Sequence, residues 1–260
     1  MKIVLCVKQV PDTSDIKWTE NNTIQREGLE SIINPYDVYA FESVLRLKNK
    51  YENVSVTALT MGPKQAEGML RKLLAVGADD AVLLSDKKFA GADTYATGKT
   101  IAAAINSKFS DYDLIVCGQF AIDGDTAQTG PSIANFLDIP QVTYVKEILE
   151  YSEGYLTVLR EVDNCVERVK VKLPALVCVL QSEFEPSRAS INGVIRAQKA
   201  SVPVYGIDDI GILPEEAGLK GSPTYVNKAF RAPQKEVECV FVEACEELAD
   251  AIKCCGGLNE

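Results

Sequence analysis

Four short, almost uniformly apolar runs constrain this chain more than any other feature: Lys2-Ile-Val-Leu-Cys-Val7, Val54-Ser-Val-Thr-Ala-Leu-Thr60, Ala81-Val-Leu-Leu84 and Tyr112-Asp-Leu-Ile-Val-Cys117. Runs of this length without polar alternation fit strands covered on both faces. Helical patterns lie between them. Ala40, Phe41, Val44, Leu45 and Leu47 follow Asn34-Pro35 at helical spacing, and Ala66, Met69, Leu70, Leu73 and Leu74 follow Pro63 up to a stop at Gly77. Further helices are expected at 95–106 and through 132–137. Strand, helix, strand at this spacing implies right-handed parallel crossovers. The expected class is α/β: a Rossmann-like open, mostly parallel sheet with helices on both faces.

After Pro140 the period changes. Residues 142–149, 155–161 and 166–172 read as extended segments joined by turns at Ser152-Glu-Gly154 and Asp163-Asn164, and Ala175-Leu-Val-Cys-Val-Leu180 looks central again. The later half of the sheet is therefore expected to be mixed, with an antiparallel segment. Residues 13–33, with a turn at Asn21-Asn22, leave room for a small excursion or hairpin before the first helix. Residues 190–199 read as an exposed helix or loop carrying Ile191, Val194 and Ile195 beside Arg188, Arg196 and Lys199; a solvated amphipathic helix and a protein-binding surface both fit. From Val202 onward Pro and Gly break every period for roughly 35 residues, too long for an ordinary loop. An apolar-faced helix over 240–254 closes the chain. The division expected is a domain at 1–200 and an extended C-terminal arm at 201–260, either draped over its own domain or anchored on another chain.

Composition narrows the chemistry. The formal charge is -10, from 27 basic and 37 acidic residues, which argues against a nucleic-acid partner. Histidine is absent, which removes imidazole triads and imidazole metal sites; no catalytic side chain and no metal centre is expected. No apolar run approaches the roughly 18 residues that span a bilayer. Strand-like sequence begins directly after Met1-Lys2, so no secretory leader is expected. Cys6, Cys117, Cys165, Cys178, Cys239 and Cys245 are scattered and read as small buried hydrophobes in a reducing cytoplasm, and the adjacent Cys254-Cys255 lacks C-x-x-C spacing.

The stretch carrying the most chemistry is Cys117-Gly-Gln-Phe-Ala-Ile-Asp-Gly-Asp-Thr-Ala-Gln-Thr-Gly-Pro131, where a strand hands over to a helix. Free N–H groups of the first helical turn can receive a phosphate there, with the Thr126 and Thr129 hydroxyls as further donors. Asp123 or Asp125 capping the helix is the plainer reading. At Asn34-Pro-Tyr-Asp37, Asn34 can cap, Pro35 suits the first helical position and Asp37 can reach back to the cap N–H; the same residues could instead shape a nucleotide pocket. In Ser85-Asp-Lys-Lys-Phe-Ala-Gly-Ala-Asp-Thr94, Gly91 permits close backbone approach and Asp93 or Thr94 caps the next helix. Both loops should emerge at the carboxyl ends of parallel strands, the edge where open α/β sheets bind ligands.

Val7-Lys8-Gln9-Val10, Ile33-Asn34-Pro35-Tyr36, the Gly118 to Gly130 stretch with its Ala-Ile-Asp-x-Asp-x-x-Gln-Thr-Gly core, and Arg160-Glu-Val-Asp163 with Glu167 and Lys172-Leu-Pro-Ala175 occur in this order. Together they resemble the beta (small) subunit family of electron transfer flavoproteins over nearly the whole chain. The resemblance implies a heterodimer with an alpha subunit, on whose flavin domain the 201–260 arm is anchored. It implies a nucleotide pocket at Cys6, at Asn34, Pro35, Tyr36 and Asp37, at Met61, and at Gly118, Gln119, Phe120, Ala121, Ile122, Asp123, Gly124, Asp125, Thr126, Ala127, Gln128 and Thr129. It also implies that segment 184–199 docks acyl-CoA dehydrogenases, with Ile191 as the protruding residue. Ordinary members hold AMP in the pocket; electron-bifurcating members hold FAD that takes a hydride from NADH. The Phe89-Ala-Gly-Ala-Asp-Thr94 loop resembles the bifurcating type and places Ala90, Gly91, Ala92, Asp93 and Thr94 toward the flavin. Gly118-Gln-Phe-Ala-Ile-Asp-Gly-Asp125 also departs from the Gly-Lys-Gln-Ala-Ile-Asp-Asp-Asp of ordinary members, with Gly124 giving the pyrophosphate closer backbone access. That type delivers electrons to an acyl-CoA dehydrogenase and to ferredoxin or flavodoxin. Main-chain N–H groups across 125–129 would hold phosphate, Asn34 and Asp37 the adenosine half, and Asp123 and Asp125 ribose or backbone N–H groups.

Overall fold

Strand β1 (Lys2–Cys6) lies inside a nine-stranded sheet in a computed structural model that describes residues 1–12, 31–109, 111–227, 241 and 245–254, with backbone only for 245, 246 and 254. The chain divides into two compact units, Met1–Asn227 and Lys228–Glu260. In the first, β4 (Ser55–Met61), β5 (Asp80–Leu84), β6 (Leu114–Gly118), β7 (Gln141–Ser152), β8 (Tyr155–Val162), β9 (Cys165–Lys172), β10 (Ala175–Val179) and β11 (Val204–Tyr205) complete the sheet, in the order β11-β5-β4-β1-β6-β10-β7-β8-β9. Every pairing from β11 to β7 is parallel, and β8 and β9 continue it antiparallel. The expected α/β class, mixed second half and meander turns are all present. Glu153 and Gly154 both take left-handed φ values, 52° and 76°, which suit the tight turn between β7 and β8.

The uniformly apolar strands are covered on both faces because their alternate side chains feed two separate cores. Ile3, Leu5 and Val56 pack on one face with Phe41 and Val44 of α1 (Pro35–Lys50) and Leu70 and Leu73 of α2 (Glu67–Val76). Val4, Leu59 and Leu84 pack on the other with Ile101 and Ile105 of α3 (Thr94–Lys108) and Ile133 of α4 (Thr129–Leu137). Outside the sheet, β2 (Gln9–Pro11) pairs antiparallel with β3 (Ser31–Ile33). The hairpin expected around Asn21-Asn22 lies outside the described residues.

The C-terminal division differs from the one read at residue 200. β11 extends the sheet beyond β5, pairing Val204 with Leu83 and Tyr205 with Leu84. Then α6 (Ile207–Ile210) and the segment leading to α7 (Gly218–Gly221) bury Ile207, Ile210, Ile212 and Ala217 in the second core. Pro and Gly do break the period there, but the short elements they separate each deliver one or two apolar residues inward, so the first unit runs to Asn227. In the second unit, α8 (Cys245–Cys254) exposes Leu248 and Ile252, as Phe241 is exposed before it. Cys239, Cys255 and residues 228–240 lie outside the described residues. Cys6, Cys117 and Cys178 are buried as expected; Cys165 is exposed, because it begins an edge strand beside the 163–164 turn.

Candidate functional site

β1, β4, β5, β6 and β10 all finish at one edge of the sheet, which places Cys6, Met61, Leu84, Gly118 and Val179 side by side. Helix α1 starts against this edge, with Pro35 at its first position and Asn34 before it. The capping arrangement read from the spacing is not formed. Asn34, 1% exposed, sends its side chain across to the next loop, donating to the Phe120 carbonyl (2.7 Å) and accepting from Ile122 N–H (3.2 Å). Its own N–H donates to the Lys8 carbonyl at 2.9 Å. Asp37 accepts from Lys8 N–H at 2.7 Å through one oxygen and from Gly118 N–H at 3.1 Å through the other. Lys8 N–H lies past the end of β1 and Gly118 N–H at the last residue of β6, and the Asp37 carboxylate gives both an acceptor where the strands finish. The helix approaches so closely that a Cβ on Gly118 would lie 2.8 Å from Asp37 N and from the Tyr36 carbonyl carbon. Burial pushes the Asp37 pKa up to about 7, against the opposing pull of Lys8 N–H, the Asn34 side chain, Gly118 N–H and the Lys8 charge.

The 118–129 loop leaves β6 with Gln119 turned inward: its N–H donates to the Val179 carbonyl (2.8 Å), and its side-chain oxygen accepts from Tyr144 N–H (2.6 Å). Phe120 stands edge-on to Tyr36 and Tyr144, with ring centroids 5.3 and 6.0 Å away. Gly124 N–H and Asp125 N–H both donate to the Ala121 carbonyl, at 3.1 and 2.7 Å, closing a turn. Asp125 and Ala127 then take left-handed φ values, 49° and 55°, rare for residues with a Cβ, while Gln128 is right-handed at φ -103°. Left-handed next to right-handed backbone aims successive N–H groups to one side, the concavity that receives anions. Among the described residues, no hydrogen bond engages the N–H groups of Thr126, Ala127 or Gln128. They lead directly into the N-terminus of α4 at Thr129.

Neither acid caps α4. Asp123 accepts from Lys8 Nζ at 2.6 Å, Asp125 is exposed, and Gln128 occupies the cap position without a side-chain bond. Gly124 has open space where a Cβ would stand, so nothing in the chain itself requires glycine there.

The 85–93 loop reaches the same edge from β5. Phe89 is buried, Gly91 has φ 75°, and Asp93, not Thr94, caps α3 by accepting from Ala96 N–H at 2.9 Å. The Thr94 hydroxyl instead donates to Gln128 Oε1 at 2.9 Å, joining the two loops. Residues past 217 back this loop: Leu219 N–H donates to the Ala90 carbonyl (3.0 Å), Asp93 N–H to Ser222 Oγ (2.8 Å), and Thr224 N–H and hydroxyl to the second Asp93 oxygen (3.0 and 2.8 Å). Ala90 and Ala92 keep part of their surface exposed. Below the edge, Cys6, Cys117 and Cys178 share one register across β1, β6 and β10. A hydrogen bond with Cys6 and burial raise the Cys117 thiol well above its ordinary range, and burial pushes Cys178 up to about 12, so both stay neutral. Among the described residues no cluster is arranged to hold a metal ion, and no helix is long and apolar enough to cross a membrane.

Most of the residues expected at a pocket thus meet at one edge, although Asn34, Asp37, Gln119 and Asp123 spend their side chains on the protein. Lys8 and Tyr144 were not singled out from sequence. A cation just past the first strand, facing a loop with acids and no base of its own, is the signal that would have found Lys8; Tyr144, left-handed at φ 58°, carries none.

The electron transfer flavoprotein domain model matches residues 21–209. Electron transfer flavoprotein subunit beta of Thermoanaerobacterium thermosaccharolyticum is 47% identical over 228 residues, 87% of this chain and 86% of that protein. The chain belongs to the electron transfer flavoprotein beta-subunit family. Subunit CarD of the caffeyl-CoA reductase-Etf complex of Acetobacterium woodii is 43% identical over 236 residues, 90% of this chain and 89% of that protein. Acryloyl-CoA reductase electron transfer subunit gamma of Anaerotignum propionicum is 41% identical over 263 residues, 97% and 98% respectively. The family match contains both loops of the edge described above.

Proposed function

We propose that this electron transfer flavoprotein beta subunit holds FAD at the carboxyl edge, accepts a hydride from NADH on it, and splits the electron pair. One electron goes through an alpha subunit to an acyl-CoA dehydrogenase, the other to ferredoxin or flavodoxin. The observation that carries the reading is the row of unbonded N–H groups at Thr126, Ala127 and Gln128, tied through Gln128 to Thr94 of the second loop. Such a row fits a pyrophosphate without any basic side chain of its own. The flavin supplies the redox chemistry when bound, which suits a chain without histidine. The residues of the chain hold and orient: the 126–129 main chain and the Thr126 and Thr129 hydroxyls take the phosphates, and Asn34 and Asp37 fix the walls of the adenosine half through their protein bonds. Ala90 to Thr94 lie toward the ring. Subunits of two CoA-thioester reductase systems among the relatives support a CoA-linked acceptor.

Pro186 to Lys199 serves the dehydrogenase, with Ile191, 83% exposed, at its tip. The second unit, from Lys228, anchors on the alpha subunit. The other reading keeps the same cradle and fills it with AMP, leaving assembly and docking as the subunit's whole role; the single phosphate of AMP needs no more donors than are present. Denaturing the purified heterodimer and identifying the released nucleotides decides between them. FAD from both subunits, with bleaching of the flavin absorbance by NADH, is expected. FAD from one and AMP from the other would overturn the bifurcating role.

A further inference from the structure

Lys8 is fixed by its main chain, while its side chain is held by a single half-exposed ion pair. Its N–H donates to Asp37 at 2.7 Å and its carbonyl accepts from Asn34 N–H at 2.9 Å, so its backbone is set by the start of α1. Its side chain, 49% exposed, reaches the 118–129 loop and places Nζ 2.6 Å from Asp123 Oδ1. That loop carries Asp123 and Asp125 and no Lys or Arg. A phosphate received by the N–H groups at 126–128 therefore shares a short loop with two carboxylates, and like charges repel over roughly 8–10 Å at ordinary salt. Main-chain donors alone do not cancel that repulsion.

We infer that Lys8 is the counter-charge of the nucleotide site: its ammonium neutralises Asp123 while the site is empty and turns to the ligand's phosphate when the site is filled. The inference rests on the nucleotide reading of the loop. A half-exposed lysine pair of this kind is held weakly, and a compact ammonium on a four-carbon stem exchanges partners readily. Phosphate, with more charge than a carboxylate, wins the exchange. The main-chain anchoring matters here, because replacing the side chain leaves the bonds to Asp37 and Asn34 in place and the edge intact.

Calorimetric titration of the full-length, nucleotide-stripped protein with AMP and with adenosine tests it. In Lys8→Met, AMP affinity is expected to fall about tenfold or more while adenosine changes by less than about twofold, and Lys8→Arg should restore most of the loss. Asp123→Asn should strengthen AMP binding, because it removes the competing carboxylate. Equal losses for AMP and adenosine in Lys8→Met would overturn the inference, leaving Lys8 as a strut for the loop; so would unchanged AMP affinity. If the unaltered protein bound neither AMP nor FAD, the nucleotide reading would fall, and this role with it.

Discussion

Asp37 is a carboxylate whose chemistry departs far from that of its surface counterpart. Its pKa rises from 3.8 to about 7 on folding, so its protonated form is favoured in the folded chain. The stability it contributes is fully present below the unfolded value and is lost as the pH rises through the folded one, by up to about 1.4 kcal/mol per pH unit in between. Urea unfolding across roughly pH 4 to 8 should show this decline in the native sequence. Asp37→Asn should flatten it, and should cost about 1–3 kcal/mol at the acid end, where one of the two N–H groups loses its acceptor. A parallel pH dependence in both proteins would show that Asp37 does not titrate there. Sequence spacing correctly located the helix start at Asn34-Pro35, but the side-chain capping it suggested is not formed. Spacing reports which N–H groups a helix leaves open; it is silent about those orphaned at the ends of other strands, and these took Asp37.

At the level of elements, the clearest case is α5 (Ile191–Lys199), an exposed helix anticipated from its pattern. Its mounting was not legible. Gly193 lies so close to α2 that an added Cβ would stand 3.1 Å from the Ala75 carbonyl carbon and closer still to its oxygen. Arg196 donates to the Leu74 carbonyl at 2.8 Å, and Arg71 donates back to the Ala197 carbonyl at 2.7 Å near the end of α5. Before the helix, Ser187 N–H donates to Glu42 at 2.9 Å and Arg46 lies 3.6 Å over the Phe184 ring. Ile191 is thus presented by a fixed support. On the proposed function, Ile191→Asp should leave NADH reduction of the flavin intact and slow electron delivery to an acyl-CoA dehydrogenase; loss of the reduction itself would show that the segment serves the pocket. Gly193→Ala should weaken the same delivery by displacing α5, at a stability cost of about 1–3 kcal/mol, and unaltered delivery would show that the seat is unimportant. The strands themselves were readable because uniform apolarity and a Glu-Gly turn are local signals. A glycine demanded by a carbonyl from a distant helix is not.

Over the whole molecule, the expected arm resolves into a part that completes the first unit and a part that does not. Removing residues 228–260 should leave the thermal unfolding of the remainder within a few degrees and abolish co-elution with the alpha subunit on gel filtration. Ending the chain at residue 200 should instead leave it unable to fold, since β5 would lose β11 and the second core would lose Ile207, Ile210 and Ile212. Survival of the shorter chain would contradict the edge role given to 201–221. The sequence pattern did not distinguish the two parts of 201–260 because Pro and Gly interrupt periodicity whether a segment wanders or folds in short pieces. The bonds between Asp93 and Thr224 span 131 positions. During synthesis, therefore, the loop before α3 is made early and gains its backing only once the ribosome has released residues beyond 220, so products terminated before that point would carry the strands of the central sheet and an unsupported 85–93 loop.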